Sequence, residues 1–197
     1  MLAPLPLRCA CGALQGAYAA PLSVNRRGRC YCKDCQAYAQ WLGTPGIMDE
    51  RGGSEVAPGW PSQVTLTAGA DRPALVRLTE KGLYRWYAGC CRTPVANTIS
   101  PKLPFVGVLR NFIAATDAEL DARFGPATGV QGRFAVGGCP PGAHASASFA
   151  IIAASIGLLT SGYWAGGARP TPFFREDGTP VTQAYVLTAS EREALPR

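Results

Sequence analysis

Between residues 83 and 88 the chain alternates, with Leu83, Arg85 and Tyr87 on one side of an extended run and Tyr84, Trp86 and Ala88 on the other. The aromatic content of this run suits a pleated surface, and it predicts a strand with Trp86 and Tyr84 in the core. Runs at 64–67, 74–79, 94–98 and 105–110 predict further strands by the same pattern. Upstream, 12–19 and 23–29 read as two extended stretches that the Ala20-Pro21 turn joins into a hairpin. Gly52-Gly53 and Pro58-Gly59-Trp60-Pro61 mark a long irregular connection.

The pattern changes after residue 115. Thr116 and Glu119 form a T-x-x-E capping box that opens a helix, and Gly125-Pro126 stops it. The chain is broken most strongly between Gly137 and Gly142. Two units are expected, a β-rich domain over 1–115 and a C-terminal extension over 116–197, its helices packed on that domain or on a partner.

Residues 143–164 contain His144 and no formal charge. A bilayer-spanning helix needs about 20 apolar residues. Ser146, Ser148, Ser155 and Ser161 thin this segment, so a helix over 145–161 is expected to be buried against the domain or a second copy of the chain, not to span a membrane. Ser190 and Glu193 suggest one last capped turn.

Composition narrows the class. Hydrophobic residues make up 47% and charged residues 16%, which excludes a disordered chain and allows a proper core. The net charge of +6 invites a nucleic-acid reading, although no long Lys/Arg tract is present. The N-terminus lacks the basic, apolar and small-residue succession of an export signal, so a reducing cytoplasmic location is expected.

That compartment bears on the cysteines. Seven of the eight fall in three groups, Cys9 with Cys11, Cys30 with Cys32 and Cys35, and Cys90 with Cys91. C-x-C and C-x-x-C spacings let neighbouring thiolates converge on one tetrahedral ion, so metal binding outweighs a disulfide framework. Seven divides into a closed site of four thiolates and a catalytic one of three with an open position. Two zinc ions held in this way lower the net charge to about +3, which weakens the nucleic-acid reading further. Arg26, Arg27, Arg29 and Lys33 surround the second group, and Arg85 and Arg92 flank the third.

Cys9-x-Cys11-Gly12, Cys30-x-Cys32-x-x-Cys35 and a later cysteine turn before Thr93-Pro94 together resemble the glutathione-dependent formaldehyde-activating enzyme family, which also contains centromere protein V. The resemblance covers about residues 5–115 and implies a mainly β fold: a β-tent of antiparallel sheets pinned at one edge by zinc, here followed by a C-terminal helical extension. It implies a structural zinc at Cys9, Cys11 and Cys91. The family's usual C-x-x-C-G is replaced by Ala88-Gly89-Cys90-Cys91-Arg92, so the fourth ligand is either Cys90, with Gly89 permitting the tight turn, or a water completing a three-thiolate site. Cys30, Cys32 and Cys35 would form the open catalytic site, which has no fourth cysteine or histidine nearby. The implied reaction adds formaldehyde to glutathione, giving S-hydroxymethylglutathione.

Under that reading Arg26, Arg27 and Arg29 offer guanidinium forks for glutathione's carboxylates. Asp34 would orient a ligand, relay a proton or stabilise its turn. His144 and Cys139 are expected to be a surface residue and a spare thiol. Two other readings compete with the lyase, a non-catalytic zinc scaffold or thiol sensor, and a nucleic-acid-associated zinc module. Nucleic acid is not expected as a partner, and a homodimer through 145–161 is one of the two ways in which that helix would be covered.

Overall fold

The structure is a computed structural model that describes residues 3–20 and 27–195. Its fold is mainly β. A three-stranded antiparallel sheet contains β1 (Leu5–Arg8), β2 (Gln15–Tyr18) and β5 (Val64–Ala68), with β2 in the middle. An eight-stranded mixed sheet runs β10-β3-β4-β9-β8-β7-β6-β11. Its strands are β3 (Gly28–Cys30), β4 (Ser54–Gly59), β6 (Pro73–Arg77), β7 (Tyr84–Ala88), β8 (Pro94–Thr98), β9 (Val106–Leu109), β10 (Thr128–Val130) and β11 (Ala184–Val186). The two edge strands, β10 and β11, pair in parallel with β3 and β6, and the inner pairs are antiparallel.

The alternation read from the sequence holds at β7. Trp86 is fully buried with its indole N–H donating to Thr98 Oγ1 at 3.0 Å. Phe173 and Phe174 pack their rings 5.2 and 5.6 Å from it. This face joins Ala96, Val106 and Val108 to Leu7 and Tyr18 of the small sheet and to Leu14 of the turn between β1 and β2, so one core lies between the two sheets. The opposite face of the large sheet receives α1 (Lys33–Leu42), whose Ala37, Tyr38 and Leu42 pack with Val76, Leu78 and Leu187.

Several local expectations need correction. The stretches 12–19 and 23–29 do not form a hairpin: β2 pairs with β1 and β5, and β3 pairs with β4 and β10. The supposed irregular connection contains β4, whose Pro58 lies opposite Gly107 of β9. The helix α2 (Asp117–Phe124) has the predicted Thr116–Glu119 capping box and ends at Gly125. The last helix, α4 (Ala189–Ala194), is capped by Thr188 and Glu191, two residues before the expected pair.

The helix expected at 145–161 is α3 (Phe149–Trp164), and it is not buried in its own chain. Only Leu158 and Gly162 are buried, while Phe149 and Trp164 are 86% and 87% exposed. Trp60 seats the helix by donating to the Leu158 carbonyl at 3.0 Å, with Gly162 and Gly167 against its ring. The hydroxyls of Ser155, Thr160 and Ser161 bond to carbonyls within the helix. Among the described residues no helix is long and apolar enough to cross a membrane.

Candidate metal centres

The first centre forms where two turns meet. One is the β1–β2 turn, in which Gly12 takes a left-handed φ of 78° and its N–H reaches the Cys9 carbonyl at 2.9 Å. The other is the β7–β8 turn, closed by Arg92 N–H to the Ala88 carbonyl at 2.7 Å. Here the left-handed residue is Arg92, with φ 57°, rather than Gly89. Its guanidinium lies 4.9 Å over the Trp41 ring and donates to the Leu42 carbonyl at 2.7 Å, which holds an unfavourable backbone in place.

These turns gather Cys9, Cys11, Cys90 and Cys91, whose sulfurs all lie within 4.8 Å of one another. Cys9 is 3.5 Å from Cys11 and 3.9 Å from Cys90, and Cys90 is 3.3 Å from Cys11 and 3.9 Å from Cys91. Four sulfurs each about 2.3 Å from a tetrahedral ion lie about 3.8 Å apart, whereas a disulfide holds its pair at about 2.05 Å. The spacing is that of metal ligands, and all eight cysteines are free. Leu14 N–H donates to Cys9 Sγ at 3.2 Å, and Thr93 Oγ1 lies 3.1 Å from Cys91 Sγ. Burial pushes the Cys91 thiol up, but hydrogen bonds from Thr93 and from Cys11 outweigh it and bring it down to about 6. Cys90 is pushed up to about 12 by burial and then by hydrogen bonds with Cys11 and Cys9.

The second centre lies at the start of α1. Cys30 ends β3, Cys32 is the helix N-cap, and Cys35 is buried in the first turn with its N–H 3.4 Å from Cys32 Sγ. Their three sulfurs also lie within 4.8 Å of one another. The positive end of the helix dipole favours anionic sulfur here. Hydrogen bonds from Cys30 and Cys32, followed by the charge of Arg85, hold the Cys35 thiol well below its usual range. Hydrogen bonds with Cys32 and then Cys35, followed by burial, push the Cys30 thiol up. No fourth Cys, His, Asp or Glu joins this group among the described residues.

The surrounding residues take other places than the sequence suggested. Arg27 is buried and bound by Glu55 at 2.5 Å and by Asp121, so its guanidinium offers no free fork. Arg29 pairs with Glu55 at 3.2 Å and keeps 41% of its side chain exposed. Arg26 lies outside the described residues. Asp34 pairs with Arg192 of α4 at 2.8 Å, which ties the start of α1 to the C-terminal helix. Cys139 and His144 are exposed and belong to neither sulfur group. Arg85, which the sequence places beside the third cysteine group, instead faces Cys35 of the second. Its signal was its position: it alternates with Trp86 and so points to the α1 side of the sheet.

The molecule is therefore a mainly β protein with two sulfur clusters, each able to hold a metal ion. Soft thiolates in this arrangement suit zinc or iron. It belongs to a family of unknown function, DUF6151, whose model matches residues 1–184. Among solved structures the chain is similar to a Rhodobacter sphaeroides protein, a structural-genomics target solved by crystallography. Identity is 16% and the TM-score 0.42, over 59% of this chain and 94% of that one. No curated protein matches the sequence.

Proposed function

We propose that this chain is a zinc-dependent carbon–sulfur lyase-type protein that joins formaldehyde to glutathione or another small thiol. One observation carries the reading: beside a complete four-sulfur group, three sulfurs converge at the α1 N-terminus with no fourth protein ligand among the described residues. Closed sites are structural, and three protein ligands with an open position are the mark of a catalytic one. The motif resemblance to the formaldehyde-activating family supplies the substrates.

Cys9, Cys11, Cys90 and Cys91 would hold the structural ion, and Cys30, Cys32 and Cys35 the catalytic one. Zinc in the open site would lower the pKa of an incoming thiol and polarise a carbonyl. The three cysteines fix the place where the substrate sulfur binds. Of the two described candidates, Arg29 is the one whose side chain is partly exposed, and a substrate carboxylate would share it with Glu55 and Asp49. In the reaction the thiol sulfur attacks the aldehyde carbon and a C–S bond forms. The carbonyl π pair moves to oxygen, and the thiol proton ends on the new hydroxyl. Thiols add to formaldehyde without help, so the acceleration required is modest.

The test is zinc stoichiometry with and without glutathione, together with the rate of S-hydroxymethylglutathione formation, in wild type and Cys35→Ser. Two zinc ions and a rate lost in Cys35→Ser support the enzyme. Two ions and thiol binding with no rate above the uncatalysed reaction would make it a thiol sensor.

We also infer that α3 pairs with α3 of a second copy. From 134 to 168 the chain carries no Asp, Glu, Lys or Arg, so two copies meet there without like-charge repulsion despite the net charge of +6. Ala153, Ala154 and Gly157 allow close approach, and nothing lies within 4 Å of a Cβ built on Gly157. Sedimentation should show a dimer that Ile156→Asp dissociates. A wild-type monomer at micromolar concentration rules the pairing out.

A further inference from the structure

Arg85 lies on β7, an inner strand of the large sheet, and is only 3% exposed. Its guanidinium carbon sits 5.1 Å from the centre of the Tyr38 ring on α1. Tyr38 is itself held by its hydroxyl, which donates to the Trp86 carbonyl at 3.0 Å. Cys35 lies one turn before Tyr38 on the same buried face of α1, and the charge of this guanidinium is among the causes that lower the pKa of its thiol. Arg85 Nη1 is buried without any hydrogen-bond partner. On β8 the residue in register with Arg85 is Asn97, also buried, whose Oδ1 is unpartnered too.

A buried guanidinium normally has a carboxylate beside it, because a lone buried charge costs several kcal/mol. Arg85 makes no ion pair with an acid among the described residues, in contrast to Arg27 and Arg29. Its anion is the sulfur group. A divalent ion with three thiolates already carries a net charge of about −1, and a fourth thiolate raises this to about −2. In a partly buried site that second charge is strongly disfavoured unless a cation stands close.

We propose that Arg85 determines the specificity of the three-cysteine centre, making its open position accept an anionic thiolate rather than a neutral donor. This rests on the open-site reading given above. A neutral fourth ligand leaves the charge unchanged and gains little from Arg85, whereas a thiolate gains the full attraction. Arg85 acts through charge across the sheet and not as a metal ligand.

The experiment uses full-length protein loaded with cobalt(II), whose sulfur charge-transfer and d–d bands report the fourth ligand. Wild type, Arg85→Lys, Arg85→Met and Arg85→Gln are each titrated with 2-mercaptoethanol and, separately, with imidazole. Arg85→Met should weaken thiol binding at least tenfold and change imidazole binding less than twofold. Arg85→Lys, which restores the charge, should recover most of the thiol affinity. Arg85→Gln provides a second uncharged variant should the methionine protein fail to fold. Unchanged thiol affinity in a folded uncharged variant, or equal loss for both ligands, overturns the role of Arg85 alone. A wild-type protein that binds neither ligand overturns the open-site reading, and this inference with it.

Discussion

Arg27 and Glu55 form an ion pair inside the protein, 2.5 Å apart, with side chains only 5% and 12% exposed. Asp121 of α2 binds the other arm of the same guanidinium, and Arg29 takes the second oxygen of Glu55. The pair thus clamps α2 onto β4 close to the second cysteine group. Arginines adjacent in sequence to a cysteine motif are split by the fold into an internal strut, Arg27, and a half-exposed neighbour, Arg29.

The consequence is measurable. Arg27→Met removes the buried partner of Glu55 and leaves that carboxylate only the half-exposed Arg29, so it should cost about 3 kcal/mol of stability, as breaking a buried pair does. Arg29→Ala should cost well under 1 kcal/mol, as exposed pairs do, and should instead weaken glutathione binding several-fold. Denaturant melts and calorimetric titration of both variants separate the two roles. Loss of stability in Arg29→Ala equal to that in Arg27→Met would show that both are struts.

Much of this architecture was legible because it is local. Trp86 in alternation with Arg85 announces β7, and Thr116 with Glu119 announces α2, since strand period and capping box are written in adjacent residues. Helix α1 was hidden because its first turn is the cysteine motif itself, Cys32 serving as N-cap where Ser or Asp is usual. Strand β4 was hidden by Pro58, which its neighbour β9 tolerates opposite Gly107. Pairing was the least legible level. Nothing between residues 12 and 29 says that β2 and β3 belong to different sheets, because β5, which pairs with β2, and β4 and β10, which pair with β3, lie far along the chain. The two sulfur groups were readable from spacing, whereas the placement of Arg85 against Cys35 needed the sheet and α1 together.

Helix α3 depends on one aromatic seat. A Cβ at Gly162 would lie 2.6 Å from Trp60 Nε1 and 2.8 Å from Pro104 Cβ, too close for either to remain in place. Gly162→Val should therefore lift α3 from Trp60, breaking the bond to the Leu158 carbonyl and exposing the indole. Red-shifted tryptophan emission with the metal content unchanged is the expected result. Emission identical to wild type would mean that α3 is held elsewhere.

Metal affinity at the four-cysteine centre should rise with pH. Cys90, pushed up to about 12 by burial and then by its sulfur neighbours, keeps its proton at neutral pH in the metal-free protein. Binding must displace that proton, so the apparent affinity gains about tenfold per pH unit for each proton released. Competition against a chromophoric chelator at pH 6.5 and 7.5, corrected for the chelator's own protonation, gives the slope. A flat profile would mean that Cys90 is not a ligand and that only thiols already ionised hold the ion.

The two centres should differ most in what their loss does to the fold. Cys9 and Cys90 are 81 positions apart and join the edge of the small sheet to the β7–β8 turn of the large one. Cys30, Cys32 and Cys35 span a single β3–α1 junction already held by α1's own hydrogen bonds. Closing the longer loop removes more freedom from the unfolded chain, by roughly 2.5 kcal/mol on loop-closure scaling. Structural metal binding is moreover folding free energy in small sites. Cys11→Ser or Cys91→Ser should thus melt far below wild type or aggregate. Cys35→Ser should retain the fold, lose one metal ion and no longer bind glutathione. Circular dichroism melts alongside metal analysis read both halves in one series. Equal damage from Cys11→Ser and Cys35→Ser would mean that both centres hold the fold, and the division into structural and reactive sites would fail.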